Sequence, residues 1–268
     1  MIPISDDNPQ LSTPWVNYAL IFTNVTLFFL EDFAPEVVDH CRLILVPADV
    51  FGGSAPEVFS KACEGHTLGL PTLLTSAFLH ADFMHLLGNM WFLFIFGNNI
   101  EDVMGRLKYL SFYLLSAVFC GLIYAYLSTS PALGASGAVC AVMAAYYWTY
   151  PRAKINMFFP LGVTALIVRI PSWMLILYHV VVTDFIELEL FNGADDGTAH
   201  LAHLAGYVFG FFLVLPFTNK KLLSLHPYAG WDAVLPLAAQ PISATLKIIN
   251  YCFFAASIVL VLEILFYS

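Results

Sequence analysis

Charge is what this chain has least of. Only 10 of its 268 residues are Lys or Arg and 19 are Asp or Glu, so charged residues make up 11% and hydrophobic ones 60%. A mean hydropathy of +0.79 excludes an ordinary water-soluble globule. The net charge of −9 and the lack of a basic run exclude a nucleic-acid partner. No phosphate-binding glycine loop occurs, and no CxxC pair. The stretch from Met1 to Pro14 contains no Lys or Arg, and so does not read as a cleaved signal peptide. No internal repeat is evident.

What remains is a set of nearly charge-free windows of roughly 20 residues, the length a helix needs to cross a bilayer. In lipid the backbone must satisfy its own hydrogen bonds, so these windows read as helices rather than strands. The fold class is an all-α polytopic membrane protein, a six-helix bundle with a seventh transmembrane helix at the C-terminus. Spans are expected at about Trp15–Leu30, His80–Gly97, Leu107–Leu127, Ser136–Tyr150, Pro171–Leu190 and Ala199–Phe217, with the seventh at about Leu246–Tyr267. Residues 1–14 form a cytoplasmic N-terminal segment, 15–217 the six-span core, 218–245 a cytoplasmic linker and 246–268 the additional span. The segment from Ile155 to Arg169 is apolar but interrupted by Pro160 and Gly162, and reads as an interfacial approach to the fifth span.

With the N-terminus inside, eight of the ten basic residues fall on the cytoplasmic side, leaving Arg42 and Lys61 outside. Ser136 and His203 then lie towards the outer face. Each begins a run of 15 residues to the inner boundary. That is roughly 22 Å of helix, and places both about 8 Å beneath the outer edge of the hydrocarbon core. Cys41 and Cys63 share the long first loop and can pair if it faces an oxidising compartment. Cys120, Cys140 and Cys252 read as small buried hydrophobes.

Four stretches carry candidate chemistry. Ser136 opens a helix after Gly134 and Ala135 and before Gly137, where free N–H groups and the helix dipole suit a developing oxyanion. The bland alternative is an N-cap in a helix-packing string. His203 is an ionisable residue at membrane depth, followed by Gly206 and Gly210 on the same face. Facing small-residue stripes would let the two backbones approach and bring Ser136 to His203. His85 and Asn89, spaced i,i+4, are candidate oxyanion donors, or else interhelical hydrogen-bonding groups. Four histidines (His80, His85, His200 and His203) invite a metal or haem reading, but no carboxylate or cysteine sits at a useful spacing. His179, Asp184, Glu187 and Glu189 fall in or near the fifth span, where Asp184 and Glu187 could be solvated or paired. His40, His66 and His226 carry no specific signal.

Together these stretches resemble the rhomboid family of intramembrane serine proteases. The matches are His80-x4-His85-x3-Asn89, Glu101-Asp102-x2-Gly105, Gly134-Ala135-Ser136-Gly137, and Ala202-His203-Leu204-Ala205-Gly206-x3-Gly210, over about Trp15 to Phe217. The resemblance implies a Ser136–His203 dyad with no aspartate. It also implies an oxyanion hole from Asn89, His85 and the Ser136 N–H, and a close approach of two spans at Gly206. Gly134 and Ala135 would border the substrate, with Gly137, Gly210, Glu101 and His80 supporting the site. Substrates would be transmembrane helices of other proteins, entering sideways from the bilayer between spans two and five, with no metal or cofactor. The expected location is the plasma membrane. The Trp-Arg pair that the family's first loop often carries is absent. Rival readings are a non-catalytic relative that binds transmembrane helices and a transporter using the histidines as a proton relay.

Overall fold

Helices occupy all six of the apolar windows of the core in the computed structural model, which describes residues 2–34, 38–53, 63, 68–161, 164–185 and 199–228. They are α1 (Trp15–Phe33), α2 (Phe83–Met104), α3 (Arg106–Leu127), α4 (Ser136–Thr149), α5 (Ser172–Tyr178) and α6 (His200–Phe217), with α5 continued by a π-helical stretch, His179–Phe185. Two of these, α3 and α6, are by themselves long and apolar enough to cross a membrane. The segment Thr72–Phe78 passes together with α2, from which it is bent by 95°. The expected seventh span, Glu187 and Glu189 lie outside the described residues.

Local sequence and distant partners share the work of starting these helices. Asp82 caps α2, its side chain accepting from Met84 N at 2.8 Å and His85 N at 2.9 Å. Pro14 offers α1 no side-chain cap. The Glu101 carboxylate of α2 does so instead, accepting from Asn17 N at 2.8 Å and Val16 N at 3.2 Å. Its neighbour Asp102 accepts from Leu11 N at 2.7 Å and Ser12 N at 3.0 Å. Gly105, at φ +78°, supplies the left-handed turn between α2 and α3.

At the centre stands α4, buried from Gly137 to Tyr147 and packed against α2, α3, α5 and α6. Its alanines keep it thin. A Cβ at Gly206 of α6 would lie 2.2 Å from the Gly137 carbonyl oxygen, and one at Gly210 would lie 2.2 Å from that of Ala141. The α4 and α6 backbones therefore touch, as small-residue faces allow in lipid, where dispersion rather than water exclusion drives helix packing. Large side chains such as Phe22, Leu107 and Leu215 are exposed on the outside, as lipid-facing positions require.

The segment expected as an interfacial approach is a β-hairpin. β2 (Lys154–Leu161) pairs antiparallel with β3 (Thr164–Pro171), and β1 (Ile2–Asp6) adds to the other side of β2. Ile155 and Met157 are buried while Lys154 and Asn156 are not, the two-residue period of a half-buried strand. Pro160, read only as an interruption, lies near the end of β2, opposite Ala165 of β3; Gly162 lies outside the described residues. An open sheet edge is not tolerated in hydrocarbon, so this sheet marks the aqueous end of the bundle. Its basic residues Lys154 and Arg169 agree with that. The N-terminal segment is thus built into the fold: Tyr146 Oη donates to Asp6, and Trp91 Nε1 to the Pro3 carbonyl.

Cys41 and Cys63 form a disulfide, with Cα atoms 5.3 Å apart. It belongs to the long loop at the end of the bundle away from the sheet.

Candidate active site

A cavity of about 880 Å³ opens among α2, α4, α5 and α6. It is lined by His85 and Asn89 of α2, Ser136 of α4, Asp184 of the π-helical stretch, and His200 and His203 of α6. The fold thus brings together groups that are up to 118 positions apart, from His85 to His203, on the wall of one chamber.

Ser136 stands at the first position of α4, following Ala135. The turn before it needs glycine twice over. Gly134 has φ +123°, and a Cβ there would lie 2.8 Å from both Cε1 and Nε2 of His85. The His85 ring therefore lies directly over Gly134, and the same Cβ position is 3.7 Å from Ser136 Oγ. The Gly134 N–H donates to the Ser76 carbonyl at 2.9 Å, which pins the turn.

Asn89 is buried, and its Nδ2 finds no hydrogen-bond partner among the described residues. Leaving a buried amide unpaired costs about 1–3 kcal/mol, and such a donor aimed at a cavity is poised for a ligand oxygen. His80 is buried with both ring nitrogens unpartnered among the described residues, its ring edge-on to His85 at 5.1 Å. His80 therefore backs the His85 ring.

Asp184, solvated or paired on the sequence alone and given no place in the site there, lies on the cavity wall. Its Oδ1 accepts from His203 Nδ1 at 2.6 Å and from His200 Nδ1 at 3.1 Å. A dyad without aspartate was implied, and the geometry departs from it. Against an ionised carboxylate, which only accepts, Nδ1 carries the ring's proton, and in a neutral His203 this leaves Nε2 with its lone pair. Asp184 and His203 are 19 residues apart in the sequence, so no local signal announces the contact. The π-helical stretch carrying Asp184 is of a kind frequent at functional sites. Ser136 and His203 share the cavity without a hydrogen bond between them. Such pairs often tighten only around substrate.

Gly137 and Gly206 lie at the α4–α6 crossing beside these groups, and Gly210 one turn further along. Glu101 stands apart. It is twelve residues beyond Asn89 on α2, about 18 Å along the helix, and holds α1 rather than the cavity.

Residues 68–220, more than half of the chain, match the family model of the Rhomboid domain. Similar proteins include RHOMBOID-like protein 12, mitochondrial, from Arabidopsis thaliana, 32% identical over 155 residues, covering 51% of this chain and 44% of that one. Rhomboid protein 1, mitochondrial, from Saccharomyces cerevisiae is 28% identical over 169 residues, covering 60% and 46%. Rhomboid protease AarA from Providencia stuartii is 26% identical over 207 residues, covering 71% and 68%. The chain spans less than half the length of the two mitochondrial relatives.

Proposed function

The chain belongs to the rhomboid family, and from that premise we propose that it is an intramembrane serine endopeptidase. The observation that carries the reading is the shared cavity, with Ser136, a histidine whose lone pair is free, and a buried unpaired amide on its walls.

In this mechanism Ser136 Oγ attacks the scissile carbonyl of a transmembrane substrate while His203 Nε2 takes its proton. Asp184 is a positioning residue: it fixes the productive tautomer of His203 and stabilises the imidazolium that forms. The tetrahedral oxyanion is met by Asn89 Nδ2, the Ser136 N–H and the His85 ring, donors set in advance where charge develops. The C–N bond breaks as His203 hands its proton to the leaving amine. Water then enters the cavity and hydrolyses the acyl-enzyme, with His203 again acting as base. A helical carbonyl is tied up in its own hydrogen bond, so sites weakened by Gly, Pro or small residues are preferred.

Lateral entry between α2 and α5 would pass the cavity wall lined by Gly88 and Phe92 of α2 and by Tyr178 and His179 of the fifth segment, where the Phe92 and His179 rings meet edge-on at 5.1 Å and would have to part. The basic sheet end would face the compartment that holds the N-terminus, and the disulfide loop the opposite, oxidising one. The chain is an integral membrane protein. The expected plasma-membrane location finds no support, since the relatives include proteins named as mitochondrial. The test is cleavage of a membrane-embedded test substrate in proteoliposomes by the intact chain and by Ser136→Ala. We expect loss of all turnover in the variant. Binding of the substrate helix without cleavage by the intact chain would favour the non-catalytic reading, and activity surviving Ser136→Ala the transporter reading.

A further inference from the structure

We propose that Asp184, His200 and His203 also form a binding site for a divalent transition cation of the zinc class, and that its occupation switches hydrolysis off. The site stands on the geometry alone, whereas the switch rests on His203 being the base proposed above.

One ligand atom from each of the three residues lies within 4.8 Å of the other two. Two imidazole nitrogens and a carboxylate oxygen are a regular zinc ligand set, with a fourth place left for water. Bound at about 2.0–2.2 Å from a tetrahedral zinc, such atoms stand roughly 3.4 Å apart. The two imidazole nitrogens are now 2.6 and 3.1 Å from the carboxylate oxygen. A cation would spread these contacts by less than about 1 Å. Asp184 and His200 are buried, and the His203 side chain is 15% exposed on the cavity wall, the direction from which water and a cation can arrive. The aspartate neutralises part of the incoming charge, which an all-histidine cluster at this depth would not do.

Coordination conflicts with catalysis through the tautomer. A cation can use the Nδ1 lone pair of His203 only after the ring proton has moved from Nδ1 to Nε2. No proton is gained or lost overall. The ring then presents an N–H towards Ser136 and can no longer accept the serine proton. The nucleophile stays in place while its base is silenced.

Cobalt(II), whose visible absorption reports tetrahedral coordination, tests the site in the full-length Ser136→Ala chain in detergent, where turnover plays no part. We expect one equivalent bound, displaced by zinc, with affinity at least tenfold weaker in the added Asp184→Asn or His200→Gln background and unchanged with His40→Ala. Zinc should also raise the melting temperature of the Ser136→Ala chain, a readout that needs no further variant. Absence of both the cobalt spectrum and the zinc-dependent rise overturns the site, as does equal affinity in the Asp184→Asn and His200→Gln chains. For the active chain, zinc should lower cleavage at least tenfold, reversibly on chelation. Cobalt binding with undiminished cleavage overturns the switch, and cobalt binding in a chain that cleaves nothing overturns the protease reading while leaving the site standing.

Discussion

Buried carboxylates lie at both ends of the bundle, and their partners differ in kind. At the sheet end Glu101 accepts from the N–H groups of Val16 and Asn17 in the first turn of α1, replacing a cap that Pro14 cannot supply. At the cavity end Asp184 accepts from two imidazoles. Backbone N–H groups do not titrate, so Glu101 holds structure. Imidazoles exchange protons near neutral pH, the property that the chemistry proposed at Asp184 uses. One residue class thus does opposite work, and the partner rather than burial tells which.

The sharpest way to break this contrast is to remove the reacting groups. Ser136→Ala and His203→Ala should each abolish cleavage in proteoliposomes while thermal unfolding stays close to that of the parent chain. Asp184→Asn removes the negative charge that holds the tautomer, and should lower kcat on the order of 10²-fold or more with KM little changed. Asn89→Ala should cost about 10²-fold in kcat, the usual loss of one oxyanion donor. The opposite end should answer in stability. Glu101→Ala uncaps two backbone N–H groups and should destabilise the fold by about 1–3 kcal/mol, read by thermal unfolding, with cleavage per folded molecule unchanged. If Glu101→Ala instead abolished turnover in folded protein, the division between the two ends would fail.

A smaller effect sharpens the sheet end further. Burial pushes the Asp6 carboxyl from its ordinary 3.8 up to about 6, against the lowering effect of the Tyr146 hydrogen bond. The folded state therefore prefers the protonated form. That stabilisation is fully present below pH 3.8 and is lost as pH rises through about 6. Melting temperature should fall over this window in the parent chain and fall less in Asp6→Asn.

Much of the site was legible locally. Gly134, Ala135, Ser136 and Gly137 announce a helix start with room beside it, and Gly206 and Gly210 a face that admits another backbone. The structure adds the reason: at both glycines a Cβ would collide with a carbonyl oxygen of α4. The hairpin was misjudged because hydropathy averages over a window and hides the alternation of Ile155, Asn156 and Met157.

By itself, then, the sequence determined the membrane class, the helical windows among the described residues and the candidate residues for chemistry, since hydrophobic length and local backbone preference act over one to a few turns. Only the tertiary structure decided which carboxylate serves the histidine, what caps α1, and that β1 closes the sheet. Each of those is a pairing across many residues, selected because a buried polar group must find its partner wherever the packed chain happens to bring one.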